Sequence, residues 1–488
     1  MYKTEINKNK VISSFVWKFL ERIGVKSLQF IISIVLARLL TPSDYGVVAL
    51  ISIFIQLAGV FIQSGFGNAL IQKKNADDLD FSSVFYLSLF IAIVMYLILF
   101  FTAPLIARFY DQKILIPILR VLSLTLIFGS INGLQGTVVS KTLDFKRFFF
   151  SSIIGIAISG VIGLLLAYKN YGPWALVWQQ LSMNIAVTII LWFTVKWRPK
   201  LLFSFTRLKT LFSFGWKLLA SSLLDTIFRN IHGLVIGKIY SKEMLGIYTR
   251  GSQFPEIIST NIDGSIQSVL FPAYSAKNDD INALKNMVRR SITTSSFFMI
   301  PAMLGLATIA KPLVMVLLTE KWLDSVPFIQ IACIYYSWRT IHTSNLAAIN
   351  ALGRSDIFLK LEIIKKINTI IALLITIPMG IMPMIIGQAI TSALASFINA
   401  YPNKKLLRYS YFEQIKDILP YYIISIIMVV PILFFQLVNI PLLLSLIIQI
   451  LLGIIIYTGI SCVFKTDALL YVKKTISDFF IERKSKTQ

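Results

Sequence analysis

Long apolar runs separated by short polar breaks fill the chain from about residue 14 to residue 463. A helix that crosses a bilayer needs about 20 predominantly apolar residues. On that criterion the pattern predicts fourteen spans, at about 14–38, 45–70, 80–105, 114–138, 148–168, 172–195, 209–239, 244–273, 287–318, 325–351, 356–378, 381–402, 418–437 and 440–463. The expected fold is therefore an all-α integral membrane protein of about 14 transmembrane helices. An even number of spans puts both termini on one side. The polar breaks are strongly biased: the N-terminal arm, KK at 73, SKTLDFKR at 140, KWRPK at 196, KNDDINALKNMVRR at 277, NKKLLR at 403 and the tail hold most of the cations. Because Lys and Arg are enriched in cytoplasmic loops, both termini are expected in the cytoplasm.

Composition agrees with this reading. Of 488 residues, 56% are hydrophobic and only 14% charged, against about 25% charged in soluble domains. The formal net charge of +24 is explained by its distribution along the membrane flank, so no nucleic-acid partner is expected. No short leader with a small-residue cleavage site precedes the first span, and the N-terminus is expected to be retained. Cys333 and Cys462 lie far apart in apolar runs without metal or redox spacing. The tail, KTDALLYVKKTISDFFIERKSKTQ, spaces its apolar residues roughly as a helix does. It is expected either to lie on the inner membrane surface or to remain solvated.

The chain repeats itself. LARLLTPSDYGVVAL, residues 36–50, aligns with IGKIYSKEMLGIYTR, residues 236–250, at an offset of 200, so that Arg38 meets Lys238, Thr41 meets Ser241 and Gly46 meets Gly246. VWK at 16 meets GWK at 215 at an offset of 199. Spans 1 and 2 thus correspond to spans 7 and 8. Six spans separate the copies, so the halves share one orientation about an axis along the membrane normal. The expected organisation is a lobe of spans 1 to 6 (residues 1–200), a lobe of spans 7 to 12 (201–403), and spans 13 and 14 with the basic tail (404–488).

RIGVKSLQFIISIVLARLLTPSDYGVVAL, QSGFGNALIQKK, LRVLSLTLIFGSINGLQGTVVSKTLDFKR, SFGWKLLASSLLD and LGIYTRGSQFP together resemble the polysaccharide-exporting flippases of the multidrug/oligosaccharidyl-lipid/polysaccharide superfamily. Within it, the nearest branch is that of the colanic acid and teichuronic acid exporters. The likeness runs over about residues 10–410 and fades in spans 13 and 14. It implies two six-helix lobes around a central cavity that opens alternately inward and outward in a bacterial cytoplasmic membrane. The implied cargo is an oligosaccharide joined through pyrophosphate to undecaprenol, destined for O-antigen, capsule or exopolysaccharide. Implied partners are membrane lipid, a polysaccharide polymerase and chain-length machinery.

Charges inside spans are the candidate chemistry. A charged side chain at the bilayer centre costs about 2.5–3.5 kcal/mol on insertion scales, so it is retained where it is paired or faces a wet interior. In FVWKFLERIGVKSLQFII, residues 15–32, Lys18, Arg22 and Lys26 recur every four residues, and Gln29 follows. They fall on one face. Like charges so spaced repel, and a pyrophosphate would relieve the repulsion. Arg22, Lys26 and Gln29 are the headgroup candidates, while Lys18 reads as snorkelling to the surface. Arg120, Arg229, Arg250 and Arg339 are further candidates for substrate binding. Asp225, Glu256 and Asp263 are candidates for ion coupling, with pairing to Arg229 or Arg250 as the alternative role. Glu362, Lys365 and Lys366 read as structural pairs, and YGPWALVWQQ at 171 as an interfacial anchor.

The sequence carries no phosphate-binding loop, no histidine at metal-ligand spacing around His232 or His342, and no argued hydrolytic triad. No cofactor and no metal are expected, and a transporter is expected in place of an enzyme. A multidrug or cation antiporter and a lipid II flippase of the same superfamily are the alternatives. An antiporter would put acids where span 1 carries cations, and a membrane glycosyltransferase would need larger outer loops than these.

Overall fold

A computed structural model describes residues 8–63, 67, 70, 71, 73, 75–275, 280–474 and 477. The regular secondary structure of the described residues is helical, and nine of their helical segments are long and apolar enough to cross a membrane. These correspond to spans 2 to 6, 9 and 12 to 14. Spans 1, 7, 8, 10 and 11 are also helical but fall outside that set. They are the spans that concentrate the charged candidates.

The chain divides into two compact units, residues 1–249 and 250–488. In the first, α1 (Lys8–Leu20), a π-turn (Glu21–Val25) and α2 (Lys26–Leu39) form span 1. There follow α3 (Pro42–Gln63), α4 (Asp78–Phe109), α5 (Leu115–Leu122), α6 (Thr125–Thr142), α7 (Phe145–Tyr168), α8 (Pro173–Thr194) and α9 (Phe205–Ile239). Starts are fixed by side-chain caps: Asp77 and Asp80 form a reciprocal capping box on α4, and Ser204 caps α9. A core of Phe81, Val84, Phe85, Leu134, Val138, Leu191 and Trp197 joins α4, α6, α8 and the linker beyond α8.

The π-turn sets the register of span 1. Trp17 stacks against Phe149 and Phe150 of α7, and Ile32 fills the space over Gly160 of the same helix. At about 100° per residue, Trp17 and the fully buried Leu36 would lie about 100° apart in an unbroken α-helix. The extra residue taken up by a π-turn brings them to about the same line, and brings Lys18 and Lys26 from about 80° apart to about 20°. One packing face and one cationic face therefore run through the break.

The final helix of the first unit begins at Lys242, and α10 (Lys242–Ser275) passes from the first unit into the second. At its start the repeat becomes a contact. A Cβ on Gly46 would overlap the Lys242 carbonyl, and a Cβ on Gly246 would overlap the Pro42 carbonyl. With the offset of 200, these are the same contact made twice in exchange, the signature of a local two-fold. Thr41 and Asp44 cap α3 reciprocally, and Ser241 accepts from the Met244 N–H at the start of α10.

The second unit continues with α11 (Ile281–Thr308), α12 (Ala310–Leu317), α13 (Val326–Ser337), α14 (Arg339–Ala351), α15 (Ser355–Thr376), α16 (Ile381–Ala400), α17 (Asn403–Leu406), α18 (Tyr411–Phe435) and α19 (Leu442–Val463). Its core runs from Val288 and Ile292 through Tyr421, Met428 and Tyr457. The first turns of the tail neither lie free nor spread outward: Ala468 is buried in this core, Leu469 packs on it, and the Arg290 guanidinium stacks 3.6 Å from the Tyr471 ring centre. Beyond Ser477 the tail lies outside the described residues.

Gly46→Ala or Gly246→Ala must push two backbones apart, at a cost of about 1–3 kcal/mol. Gly59 faces open space. Thermal unfolding of the purified protein should fall for the first two substitutions and stay unchanged for Gly59→Ala; equal midpoints for all three would refute the close contact.

Candidate functional site

Each buried charge has a position and, in most cases, a partner. Lys18 pairs with Glu21 at 3.1 Å and lies over the Phe145 and Phe148 rings of α7. This is a local role for Lys18. The side chains of Arg22 and Lys217 lie outside the described residues. Lys26 and Gln29 are exposed on the protein surface, and among the described residues no acid or carbonyl pairs with Lys26.

Arg120 answers a backbone demand. Pro104 lies inside α4 and has no N–H to give the carbonyl of Phe100, four residues earlier. Within a bilayer such a carbonyl must be satisfied by the protein. Arg120 Nε donates to it at 3.2 Å, and the guanidinium lies 4.2 Å from the centre of the Phe100 ring. The second unit solves the same problem with a different group. Pro301 in α11 frees the carbonyl of Phe297, and the Tyr457 hydroxyl of α19 donates to it at 2.9 Å.

Arg339 pairs with Asp263 of α10, and the Thr343 hydroxyl donates to the same carboxylate at 3.4 Å. Asp263 is thus taken by residues at the start of α14, within its own unit, and not by Arg250. Arg250 is buried and donates to Gln253, one turn along its own helix. On α9, Asp225 and Arg229 are exposed, and no ion pair joins them among the described residues. Glu256 is likewise exposed. Lys365 and Glu362 form the structural pair expected of span 11, at 2.6 Å. His342 is half-buried, with its ring nitrogens against Asn399 and Ser392, and no group of described residues has the composition to hold a metal ion.

Sequence reasoning missed one ionic cluster. Asp80 is fully buried yet receives Lys73 at 2.7 and 2.8 Å and Arg207 at 3.1 Å; Arg207 also holds Asp77 at 2.7 and 2.8 Å. Partial burial works to raise the Asp77 carboxyl, but Arg207 and the Asp80 N–H outweigh it and hold it below its ordinary value. The run ADDLDF before span 3 was the available signal, but its partner lies 130 residues away.

Comparison with known proteins adds the family. Residues 35–327 match the family described as Polysaccharide biosynthesis protein. The chain belongs to this family. Among curated relatives, the lipopolysaccharide biosynthesis protein WzxC of Escherichia coli (strain K12) is 26% identical over 420 residues, 84% of this chain and 82% of that protein. The teichuronic acid biosynthesis protein TuaB of Bacillus subtilis (strain 168) is 23% identical over 350 residues, 71% of this chain and 72% of that protein. Among solved structures, the lipid II flippase MurJ in an inward closed conformation superposes with a TM-score of 0.72 at 17% identity, covering 94% of this chain and 100% of that one. A multidrug resistance MATE family transporter in an inward-facing conformation gives 0.63 at 14%, covering 81% and 99%. This chain thus shares the fold of these two membrane transporters.

The account of Arg120 has a specific test. Arg120→Ala should destabilise the protein by about 1–3 kcal/mol, the cost of a buried carbonyl left bare. Adding Pro104→Ala returns an N–H to that carbonyl and should restore much of the loss in thermal unfolding. A double variant no more stable than Arg120→Ala alone would mean that Arg120 serves something else.

Proposed function

We propose that this polysaccharide biosynthesis family member is a flippase. It would carry an oligosaccharide, joined through pyrophosphate to undecaprenol, from the inner to the outer leaflet of a bacterial cytoplasmic membrane by alternating access. Both termini lie in the cytoplasm, and the two lobes follow the sequence repeat, with the last two spans appended. The observation that carries the reading is Lys26. Lys18, Arg120, Arg339 and Lys365 all have protein partners, whereas Lys26 reaches the surface with none among the described residues. A cation kept in a membrane helix at that cost needs an anion that comes and goes. A lipid-linked pyrophosphate supplies one in the membrane itself, and Arg22 and Gln29 on the same helix add donors of the matching kind. The exposed Arg229 of α9 is the next candidate. Arg120 contributes through the backbone of α4, and Arg250 and Arg339 through polar partners in their own unit. The relatives' names, which tie them to lipopolysaccharide and teichuronic acid biosynthesis, support a sugar cargo. They favour it over the antiporter and lipid II readings, which share only the fold. Asp225, Glu256 and Asp263 are the candidates for ion coupling, and of these Asp263 is held by Arg339. A polysaccharide polymerase would act on the delivered unit.

The test is complementation of a strain lacking the native gene. Arg22→Ala combined with Lys26→Ala should lower surface polysaccharide about tenfold or more at normal protein level, as expected for loss of charge-assisted phosphate contacts. Full export by the double variant would remove these residues from the site.

A further inference from the structure

One turn of the second unit carries more positive charge than its neighbours answer. Between α16 and α18 the chain mixes buried and exposed positions: Asn403, Leu407 and Tyr409 are fully buried, while Lys404, Lys405 and Arg408 are exposed. The buried members fix the turn. Asn403 donates to the Asn345 side chain of α14 at 2.6 Å, and Lys285 of α11 donates to the Arg408 carbonyl at 2.6 Å. Arg408 is held at φ +52°, a left-handed backbone that a bulky residue keeps only where its surroundings impose it. Lys416, in the second turn of α18, is exposed as well. These four cations have no side-chain partner among the described residues. Both acids of α18 are engaged elsewhere: Glu413 closes the cap on Ser410 and meets Lys285 at 3.4 Å, and Asp417 is held by Arg289 and the Tyr409 hydroxyl.

The cations stand where apolar surface gives way to headgroups. α16 has 20 residues, which at about 1.5 Å each match the thickness of a hydrocarbon core. Its exposed apolar stripe, Ile390, Leu394, Phe397 and Tyr401, ends one turn before Lys404 and Lys405. On α18 the exposed stripe runs through Phe412, Leu419, Ile423 and Ile426, and Lys416 falls on it between Phe412 and Leu419. A span of about 20 residues counted back from Phe435, the end of α18, reaches Lys416. The two stripes are joined at this level: the Tyr411 ring meets Phe397 edge-on at 5.3 Å, and the Tyr411 hydroxyl lies 3.0 Å from that of Ser396. Two neighbouring apolar stripes thus end in one aromatic patch, with unpaired cations on both helices and on the turn between them.

We propose that this turn is a binding site for one anionic phospholipid of the adjoining leaflet, with its acyl chains along the α16 and α18 stripes and its phosphate among Lys404, Lys405, Arg408 and Lys416. Basic groups clustered at the ends of spans recognise such headgroups. A phosphodiester offers the acceptor oxygens, to Lys as a point charge and to Arg as a two-pronged donor. The basic end of the first unit differs in this respect, because Lys73, Lys200 and Arg207 are taken up by Asp80, Asp78 and Asp77. The site goes beyond the cargo reading and stands with any cargo, since it needs only a bilayer around the chain.

The test is lipid binding by the purified full-length protein in a nonionic detergent, read by native mass spectrometry as the dissociation constant of the first lipid bound. The probes are phosphatidylglycerol, phosphatidylcholine with the same acyl chains, and undecaprenyl pyrophosphate. One variant combines Lys404→Gln, Lys405→Gln, Arg408→Asn and Lys416→Gln. A control combines Lys465→Asn, Lys473→Gln and Lys474→Gln, all exposed near the start of the tail. The two changes to Asn suit the positive φ of Arg408 and Lys465. Wild type should bind phosphatidylglycerol about tenfold tighter than phosphatidylcholine, and the turn variant should lose that preference. The control should keep it, and all three proteins should bind undecaprenyl pyrophosphate alike. A preference kept by the turn variant would leave the cations to solvent or to a protein partner, and would overturn the proposal. Equal loss in the control would mean diffuse attraction to any basic end, and a matching loss of undecaprenyl pyrophosphate would assign the turn to the carrier lipid; either result also overturns it. If the combined turn variant does not fold, Lys404→Gln and Lys416→Gln are measured singly. Each should then weaken phosphatidylglycerol binding about threefold or more, and unchanged binding by either refutes the site.

Discussion

Inside a bilayer no water is available to complete a bond, so every carbonyl, N–H and charge must find its partner within the protein or in its cargo. That constraint organises this chain. Prolines in α4 and α11 break two backbone hydrogen bonds, and the protein restores each with a long polar side chain, Arg120 or Tyr457, brought in from another helix. The rest of the charged inventory follows the same rule. Glu21 takes Lys18, Asp263 takes Arg339 and Glu362 takes Lys365, while Arg207 and Lys73 share one buried carboxylate. Satisfied charges are scaffold. A charge left over is the part of the sequence that points outside the chain.

On this accounting span 1 differs from the other charged helices. Its two halves are joined by a π-turn, which aligns the packing face along α7 and keeps the cations in one row. Lys18, nearer the start of the span, is absorbed by Glu21 and aromatic rings, and Lys26, two turns further along, is not. The contrast with Arg120 is instructive: both are cations in a span, but Arg120 donates to the carbonyl that Pro104 leaves bare, whereas Lys26 has no partner among the described residues. The same logic separates Asp263, fixed by Arg339 and Thr343, from Glu256, which stays exposed on the same helix.

Much of the fold was legible because hydropathy acts locally and strongly. Nine of the fourteen expected spans fall on helices long and apolar enough to cross a membrane, and the other five carry most of the charged candidates. The repeat, too, was readable: Gly46 and Gly246, matched by sequence alone, meet in a reciprocal contact. The site was less legible for a physical reason. Whether a charge is bound depends on a partner fixed by tertiary packing. The need for Arg120 is created by Pro104 through the carbonyl of Phe100, and Asp77 meets Arg207 only after the linker folds back. A π-turn leaves no pattern in hydropathy, so the register of span 1 could not be read beforehand. The docking of the tail through Ala468 and Tyr471 was likewise invisible in its basic composition.

The central claim is that unsatisfied charge marks the cargo site, and binding of the headgroup measures it most directly. The quantity is the affinity of the purified protein for undecaprenyl pyrophosphate without sugar, compared among wild type, Lys26→Gln and Arg120→Gln. The account predicts that Lys26→Gln weakens binding about tenfold or more, as loss of a charge-assisted phosphate contact should, while Arg120→Gln, which keeps a donor for the Phe100 carbonyl, binds as wild type does. Unchanged binding by Lys26→Gln, or a loss confined to Arg120→Gln, would contradict it.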